Sequence, residues 1–171
     1  AVAKIEALAG RGAVWHFIGH LQGNKAKEVA RHFDWAHGVD RDRVADLLSR
    51  HRPPGGAPLQ CCIQVNISEE ATKSGVKPGE ALALARHVAS LPGLRLRGLM
   101  GMASPSGDEA RQREEFAILR REFEALKSAG LAVDTLSMGM THDFPAALAE
   151  GATMLRIGTA IFGERDASQA A

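Results

Sequence analysis

The sequence predicts an α/β fold built as a (β/α)8 barrel of the TIM type, with about six of the eight βα units present in this chain of 171 residues. Two observations lead to this prediction. Short apolar runs alternate with longer helical patterns along the whole chain, which is typical of a parallel sheet covered by helices. Several strands also carry polar residues on one alternating face, which favours a barrel lumen near its mouth over a doubly wound open sheet.

Six strands are predicted, each closed by glycine, asparagine or another turn residue. In chain order they are "VWHFIG", "WAHGVD", "CCIQVNI", "LRLRGLMGM", "DTLSMGM" and "TMLRIGTAIFG". The polar positions that favour a barrel are His16 and His20 in the first strand, Gln64 and Asn66 in the third, and Arg156 in the last. A complete barrel averages about 250 residues, so two further units would add roughly 60.

Helices are predicted between these strands. They cover residues 22–33, 41–50 and 78–91, a long stretch between Ser106 and Gly130, and a short stretch from Pro145 to Gly151. Asp40 is expected to cap the second helix, and Pro78 to begin the third, where its missing N–H does no harm. Ser106 and Glu109 predict a capping box for the longest helix, which Gly130 ends.

Composition indicates one domain, residues 1–171, with a hydrophobic content of 45%. The net charge of +1 and the lack of a basic block argue against nucleic-acid or anionic-membrane partners. No long apolar run or secretory signal is present, so we expect a cytoplasmic protein. Cys61 and Cys62 are neighbours in a strand and point to opposite faces, which argues against a disulfide and suits a reducing compartment.

The last predicted strand contains the strongest candidate for a functional residue. If Leu155 and Ile157 face the helices, then Met154, Arg156 and Gly158 face the lumen. Arg156 then lies close to the carboxyl end of its strand, where the active sites of barrels are found. The sequence therefore predicts an arginine at the barrel mouth.

An anion site is predicted beside this arginine. Gly158 and Thr159 can offer backbone N–H groups and a hydroxyl, and loops after the last two barrel strands often bind phosphate. Ser137 and Gly139, at the end of the preceding strand, are further donors. The alternative is that Gly158 only permits close packing and that Arg156 pairs with a core carboxylate.

Other chemistries have weaker support. His16 and His20 would lie roughly 13 Å apart along a strand, too far to share a metal ion. Ser137 and Cys62 lack a nucleophile elbow and a local histidine and acid, which argues against a hydrolase. Lys73 would lie near the barrel mouth, although solvation in a loop is the favoured interpretation.

Several motifs resemble the pyridoxal phosphate homeostasis proteins, the YggS-like or PROSC-like family. They are "WHFIGHLQGNK", "FDWAHGVD", "IQVNIS", "TKSG", "LRLRGLMGMA", "TLSMGMTHDFPAALAEGATMLRIGTAIFG" and "ERD", in the family's order from Trp15 to Asp166. The resemblance implies the fold of the alanine racemase N-terminal domain, a (β/α)8 barrel that binds pyridoxal 5′-phosphate. It also implies a carrier or buffer of this cofactor without a firmly established catalytic activity, a monomer when full length, with apoenzymes that use the cofactor as partners.

The resemblance also implies roles for individual residues. It assigns the cofactor's phosphate to Ser137 and to Gly158 and Thr159, with Met138 close by through its backbone. Arg156 would lie against the pyridine nitrogen. Because an arginine can only donate, it would favour an unprotonated ring nitrogen and weaken the ring as an electron sink. No catalytic residue and no metal ligand is assigned.

The family's Schiff-base lysine has no counterpart in these 171 residues. Lys25 and Lys73 belong to other family motifs, so neither is given that role. The sequence resembles a family member that begins in the helix after the second strand, and we expect an N-terminally truncated chain.

Two further functions stay open from the sequence. A pyridoxal-phosphate enzyme such as an amino-acid racemase shares the barrel, but it needs a second domain and a second acid/base group. A phosphate-binding regulatory module that has lost the cofactor is the other alternative.

Overall fold

The computed structural model describes residues 1–68, 70 and 73–163, and its centre is a parallel sheet of five strands. The strands are β1 (His16–Phe17), β2 (Trp35–Val39), β3 (Leu59–Gln64), β4 (Leu94–Met100) and β5 (Thr135–Ser137). Each strand pairs in parallel with the next one in the chain. The closing "ERD" motif and Thr72 of the "TKSG" motif lie outside the described residues.

Helices follow the strands and cover one face of the sheet. They are α1 (Val2–Ala7), α2 (Ala26–His32) after a 3₁₀ turn at Gly23–Lys25, α3 (Asp42–His51), α4 (Ala81–Ser90), α5 (Glu109–Ser128), α6 (Phe144–Ala149) and α7 (Thr159–Phe162). The predicted helical stripe of α5 is confirmed, because Phe116, Leu119, Phe123 and Leu126 are all buried.

The sheet curls into an arc. Side chains of β2 and β5 meet in a hydrogen bond of 2.9 Å between His37 and Ser137. In a flat sheet these two strands, three positions apart, would be about 14 Å from each other. The contact across the concave face therefore shows half-barrel curvature, with the concave face as the lumen.

The two faces of the sheet bury different sets of side chains. Cys61 belongs to the main core between the sheet and the helices, whereas Cys62 packs with Trp35 and Met100 in a separate lumen cluster that Met102 and Met154 border. This alternation agrees with the pleat of a strand. Both cysteines are free, as predicted.

The prediction of a sixth strand is wrong, because the segment does not form an extended strand of the sheet. "TMLRIGTAIFG" forms one isolated parallel bridge, between Met154 and Ser137, and its end folds into helix α7. β5 is only three residues long, and Gly139 then turns the chain, so little ladder is available to a sixth strand. The backbone N–H of Arg156 donates instead to the carbonyl of Gly139 at 2.9 Å.

Two predicted helix caps are also wrong. Asp108, and not Ser106, caps α5, because its carboxylate accepts hydrogen bonds from the N–H groups of Ala110 and Arg111. Ser106 accepts from the N–H of Asp108 itself. Asp40 does not cap α3, because its carboxylate pairs with the side chain of Arg41 at 2.5 Å.

Two helix boundaries differ from the prediction. The third predicted helix begins at Ala81 and not at Pro78, since residues 78–80 form a turn. The first begins as a 3₁₀ turn before it becomes α-helical at Ala26. Pro145 does lie in the first turn of α6, as expected.

Candidate functional site

The five predicted site residues lie at the carboxyl end of β5 and in the segment that follows α6. Ser137 ends β5, and Arg156 reaches it across 19 positions of sequence. Gly158 and Thr159 form the turn into α7, where Thr159 is exposed. Met138 is buried in the core on the helix side, and its N–H donates to the carbonyl of Met154 at 3.1 Å. The side chain of Met138 therefore points away from the lumen.

Arg156 is held by neutral acceptors. Its Nη1 donates to the carbonyl and the hydroxyl oxygen of Ser137, at 2.6 and 2.9 Å, and its Nη2 donates to the carbonyl of Gly101 at 2.9 Å. None of these three acceptors is a carboxylate, so the contacts differ from the alternative in which Arg156 pairs with a core carboxylate. Burial lowers the pKa of Arg156, and the charge of Asp143 opposes that shift.

The backbone geometry at Gly139 allows this placement. Gly139 has a φ of +92°, and a Cβ there would lie 2.7 Å from the Cβ of Ala147 and 2.8 Å from Cδ2 of Leu155. Only glycine adopts this conformation in so little space. The turn directs its carbonyl to the N–H of Arg156, which fixes the arginine backbone beside β5.

Two histidines extend the network from Ser137 across the lumen. His37 Nδ1 lies 2.9 Å from Ser137 Oγ, and His37 Nε2 lies 2.9 Å from His16 Nδ1. The ring of His16 stacks on Trp35, with centroids 5.2 Å apart. The prediction that His16 is a hydrogen-bonded residue of the lumen agrees with this geometry.

The surroundings of His37 favour its neutral form at neutral pH. Burial, the neighbouring His16 and the charge of Arg156 lower its pKa to about 3, in that order of importance. Burial also lowers the pKa of His16, against the attraction of Asp34. Both rings can therefore act as one donor and one acceptor at neutral pH.

Ser137 has no solvent-accessible surface, because it lies beneath Arg156. A ligand atom would reach its hydroxyl only if the guanidinium moved. Thr141, a residue that sequence reasoning missed, lies closer to the turn into α7: its hydroxyl accepts from the N–H of Ala160 at 3.3 Å. His37 was also missed, because a single histidine in an apolar strand carries no signal of its partners.

A cavity of about 880 Å³ opens at the mouth of the arc. Its wall includes Ile18, His20, Gln64, Met102, Met140 and Lys73. Lys73 pairs with Glu70 at 2.8 Å and lies 3.4 Å from the carbonyl of Ala103. It is therefore a lining residue of the cavity and not a freely solvated loop residue.

The structure gives no support to the weaker sequence candidates, a nucleophilic cysteine and a metal site. Burial raises the pKa of the Cys62 thiol, which leaves it a weak nucleophile. No group of three or more potential metal ligands occurs in the described ranges 1–68, 70 and 73–163. Across that same part of the chain, every helix is too short or too polar to cross a membrane.

Comparison with known proteins identifies the family. A profile of the family "Alanine racemase, N-terminal domain" matches residues 1–166. The chain is 51% identical over 166 residues to the "Pyridoxal phosphate homeostasis protein" of Pseudomonas aeruginosa, covering 97% of this chain and 71% of that protein. It is 48% identical over 168 residues to the protein of the same name from Escherichia coli K12, covering 98% and 72%.

The chain belongs to the pyridoxal phosphate homeostasis protein family. A solved structure of PipY from Synechococcus elongatus, with pyridoxal phosphate bound, superposes with a TM-score of 0.84 at 35% identity, covering 95% of this chain and 77% of that chain. An alanine racemase from Clostridium difficile superposes with a TM-score of 0.73 at 13% identity, covering 95% and 43%, which shows the fold alone. The predicted family and barrel type are confirmed, with five strands in place of the six expected.

Proposed function

We propose that this protein binds pyridoxal 5′-phosphate at the carboxyl ends of β5 and of the segment after α6, and that it serves in the homeostasis of this cofactor as a carrier without catalytic activity. Membership of the family supports the homeostasis function, and the bound cofactor in the PipY structure supports the ligand. The local support comes from the contacts of Arg156.

The donor groups of the site fit such a ligand. An arginine has five N–H donors, and Arg156 uses three of them on Ser137 and Gly101. Within the described residues, its Nε–H has no acceptor. A pyridine nitrogen is an acceptor without a charge, and a spare N–H of this partly buried guanidinium matches it.

The phosphate would lie at the turn into α7. Within the described residues, the backbone N–H groups of Gly158 and Thr159 donate to no backbone carbonyl. The hydroxyl of Thr159, and that of Thr141 beside the same turn, add side-chain donors. We propose that Gly158, Thr159 and Thr141 bind the phosphate directly, that Ser137 acts through Arg156, and that Met138 contributes only by anchoring the backbone to Met154.

The same arginine supports the proposal of a carrier. When bound, pyridoxal phosphate supplies an aldehyde and an electron-withdrawing ring. Arginine only donates hydrogen bonds, so a ring nitrogen that accepts from it stays unprotonated. An unprotonated ring nitrogen weakens the ring as an electron sink. Arg156 therefore orients the ligand without promoting carbanion chemistry.

The single observation that carries the proposal is the partly buried guanidinium of Arg156, with two N–H donors unused among the described residues, at the strand ends. Calorimetric titration of this chain with pyridoxal phosphate, pyridoxal and inorganic phosphate tests it. We expect pyridoxal phosphate to bind at least about tenfold more tightly than either part, because each half of the site contributes about 1.4 kcal/mol or more. Inorganic phosphate binding equally well would instead indicate a phosphate module without a cofactor.

A turnover assay tests the absence of catalysis. With a labelled amino acid and the chain loaded with pyridoxal phosphate, racemisation should not exceed that of the free cofactor. Turnover above that rate would support the racemase-like alternative. A cytoplasmic location, a monomeric state and transfer of the cofactor to apoenzymes stay predictions from the sequence.

A further inference from the structure

The contacts of Arg156 continue as a single chain of hydrogen-bonding groups through the interior. Arg156 Nη1 lies 2.9 Å from Ser137 Oγ, which lies 2.9 Å from His37 Nδ1. His37 Nε2 lies 2.9 Å from His16 Nδ1. Ser137 and His37 have no accessible surface, while His16 is half-buried. Water therefore does not complete the two inner links.

The chemistry of these groups favours one direction for every hydrogen bond. An arginine only donates, so Ser137 Oγ must accept from Arg156. The serine proton then points to His37 Nδ1, which can accept it only if the ring of His37 carries its proton on Nε2. That N–H in turn donates to His16 Nδ1.

The reverse order of protons is less stable. If His16 donated to His37 and His37 donated to Ser137, the serine proton would have no acceptor among the described residues. A buried donor without a partner costs about 1–3 kcal/mol. Every buried side-chain nitrogen and oxygen in the described part of the chain has a partner atom, so the two orders differ only in the serine proton.

We propose that His37, backed by His16, is a positioning residue that holds Arg156 in the orientation that binds the ligand's ring. By accepting the serine proton, His37 keeps Ser137 Oγ as an acceptor, which fixes one edge of the guanidinium while Gly101 holds the other. This inference rests on the proposed function, and it assigns to the histidines an effect on the ring and not on the phosphate.

A pair of variants at one position tests this assignment. His37→Leu removes both ring nitrogens, whereas His37→Asn keeps an acceptor at the place of Nδ1. The probes are pyridoxine 5′-phosphate, which has the ring but no aldehyde, and inorganic phosphate. We expect His37→Leu to weaken pyridoxine 5′-phosphate binding about tenfold, the order of one hydrogen bond to a charged group, with inorganic phosphate binding unchanged. His37→Asn should restore most of the lost affinity.

The unaltered protein supplies a measurement that does not depend on the folding of a variant. Two-bond ¹H–¹⁵N correlation spectra distinguish the tautomers of a neutral histidine. We expect His37 to carry its proton on Nε2. A proton on Nδ1 would overturn the proposal.

The remaining outcomes distinguish a failure of the positioning function of His37 from a failure of the proposed function. Suppose that the wild-type protein binds pyridoxine 5′-phosphate. If folded His37→Leu then binds it equally well, or loses affinity for both probes equally, the positioning function is overturned and the proposed function stays intact. Wild-type protein that binds neither probe contradicts the proposed function and, with it, this inference.

Discussion

At the scale of single residues, the site is organised around the charge of Arg156, with which no carboxylate among the described residues forms an ion pair. Arg156 donates to carbonyl and hydroxyl oxygens, while Asp143 acts on it only through its charge. Its neighbours are kept neutral by their surroundings, since burial and two adjacent basic groups lower the pKa of His37 to about 3. A net positive centre in a neutral setting favours an anionic or lone-pair ligand.

The pKa of His37 leads to a prediction about acid stability. His37 is faced by His16, Ser137 and Arg156, and its pKa falls from 6.5 to about 3 on folding. Between these values the unfolded chain binds the proton and the folded chain does not. The free energy of unfolding should therefore decrease as the pH falls from 6.5 toward 3, by up to about 1.4 kcal/mol per pH unit from this group.

Denaturant unfolding at a series of pH values checks this prediction. His37→Asn lacks the titrating ring but keeps an acceptor for Ser137, so its stability should depend less on pH in that window, by about one bound proton. An identical pH dependence in wild type and variant would show that His37 is not the group that titrates.

Some of these residues could be predicted from the sequence, and others could not. Arg156 was identified because the alternation of Met154, Leu155 and Arg156 follows the pleat of a strand, and this pattern is local. The partners of His37 lie 21 and 100 positions away, so its function depends on the curl of the sheet. No local pattern contains that information.

At the scale of elements, periodicity predicted the five strands and the apolar stripe of α5, because burial on one face follows the period of each element. It failed where a side chain has a choice of partners. Ser106 and Glu109 have capping-box spacing, but Asp108 is closer to the first free N–H groups of α5. The sixth strand failed because β5 is too short to pair with it.

The cap of α5 can be tested with two neighbouring substitutions. Asp108→Ala removes the acceptor for the N–H groups of Ala110 and Arg111 and should lower the free energy of unfolding by about 1 kcal/mol. Ser106→Ala, the matched control, removes one exposed contact to the N–H of Asp108 and should cost less. Chemical denaturation of both variants checks the order, and a larger loss for Ser106→Ala would favour the capping box that the sequence predicts.

The pairing of β4 with β5 depends on a close backbone approach. Gly98 has a φ of +153°, and a Cβ there would lie 1.9 Å from the carbonyl oxygen of Thr135. Gly98→Ala should therefore lower the melting temperature strongly, by more than the few degrees that about 1 kcal/mol produces. Gly107→Ala, where a Cβ meets nothing within 4 Å, is the control. Calorimetry that finds equal melting temperatures for both variants would contradict the predicted clash.

At the scale of the whole molecule, curvature creates the site. Helices cover the convex face of the sheet, and the arc brings β2, β5 and the segment after α6 together on the concave face. Residues separated by 100 positions in sequence thereby form one network around Arg156. The family relationship and this geometry both support the proposal that a ligand with a ring and a phosphate binds at the strand ends.

The most direct test of this account is calorimetric titration of pyridoxal phosphate into the wild-type chain and into Arg156→Met. Arg95→Met, which removes an exposed arginine of β4, is the control. We predict that Arg156→Met weakens binding at least about tenfold, the order of one lost hydrogen bond to a charged group, and that Arg95→Met leaves it unchanged. Full wild-type affinity in a folded Arg156→Met protein would contradict the placement of the cofactor against this arginine.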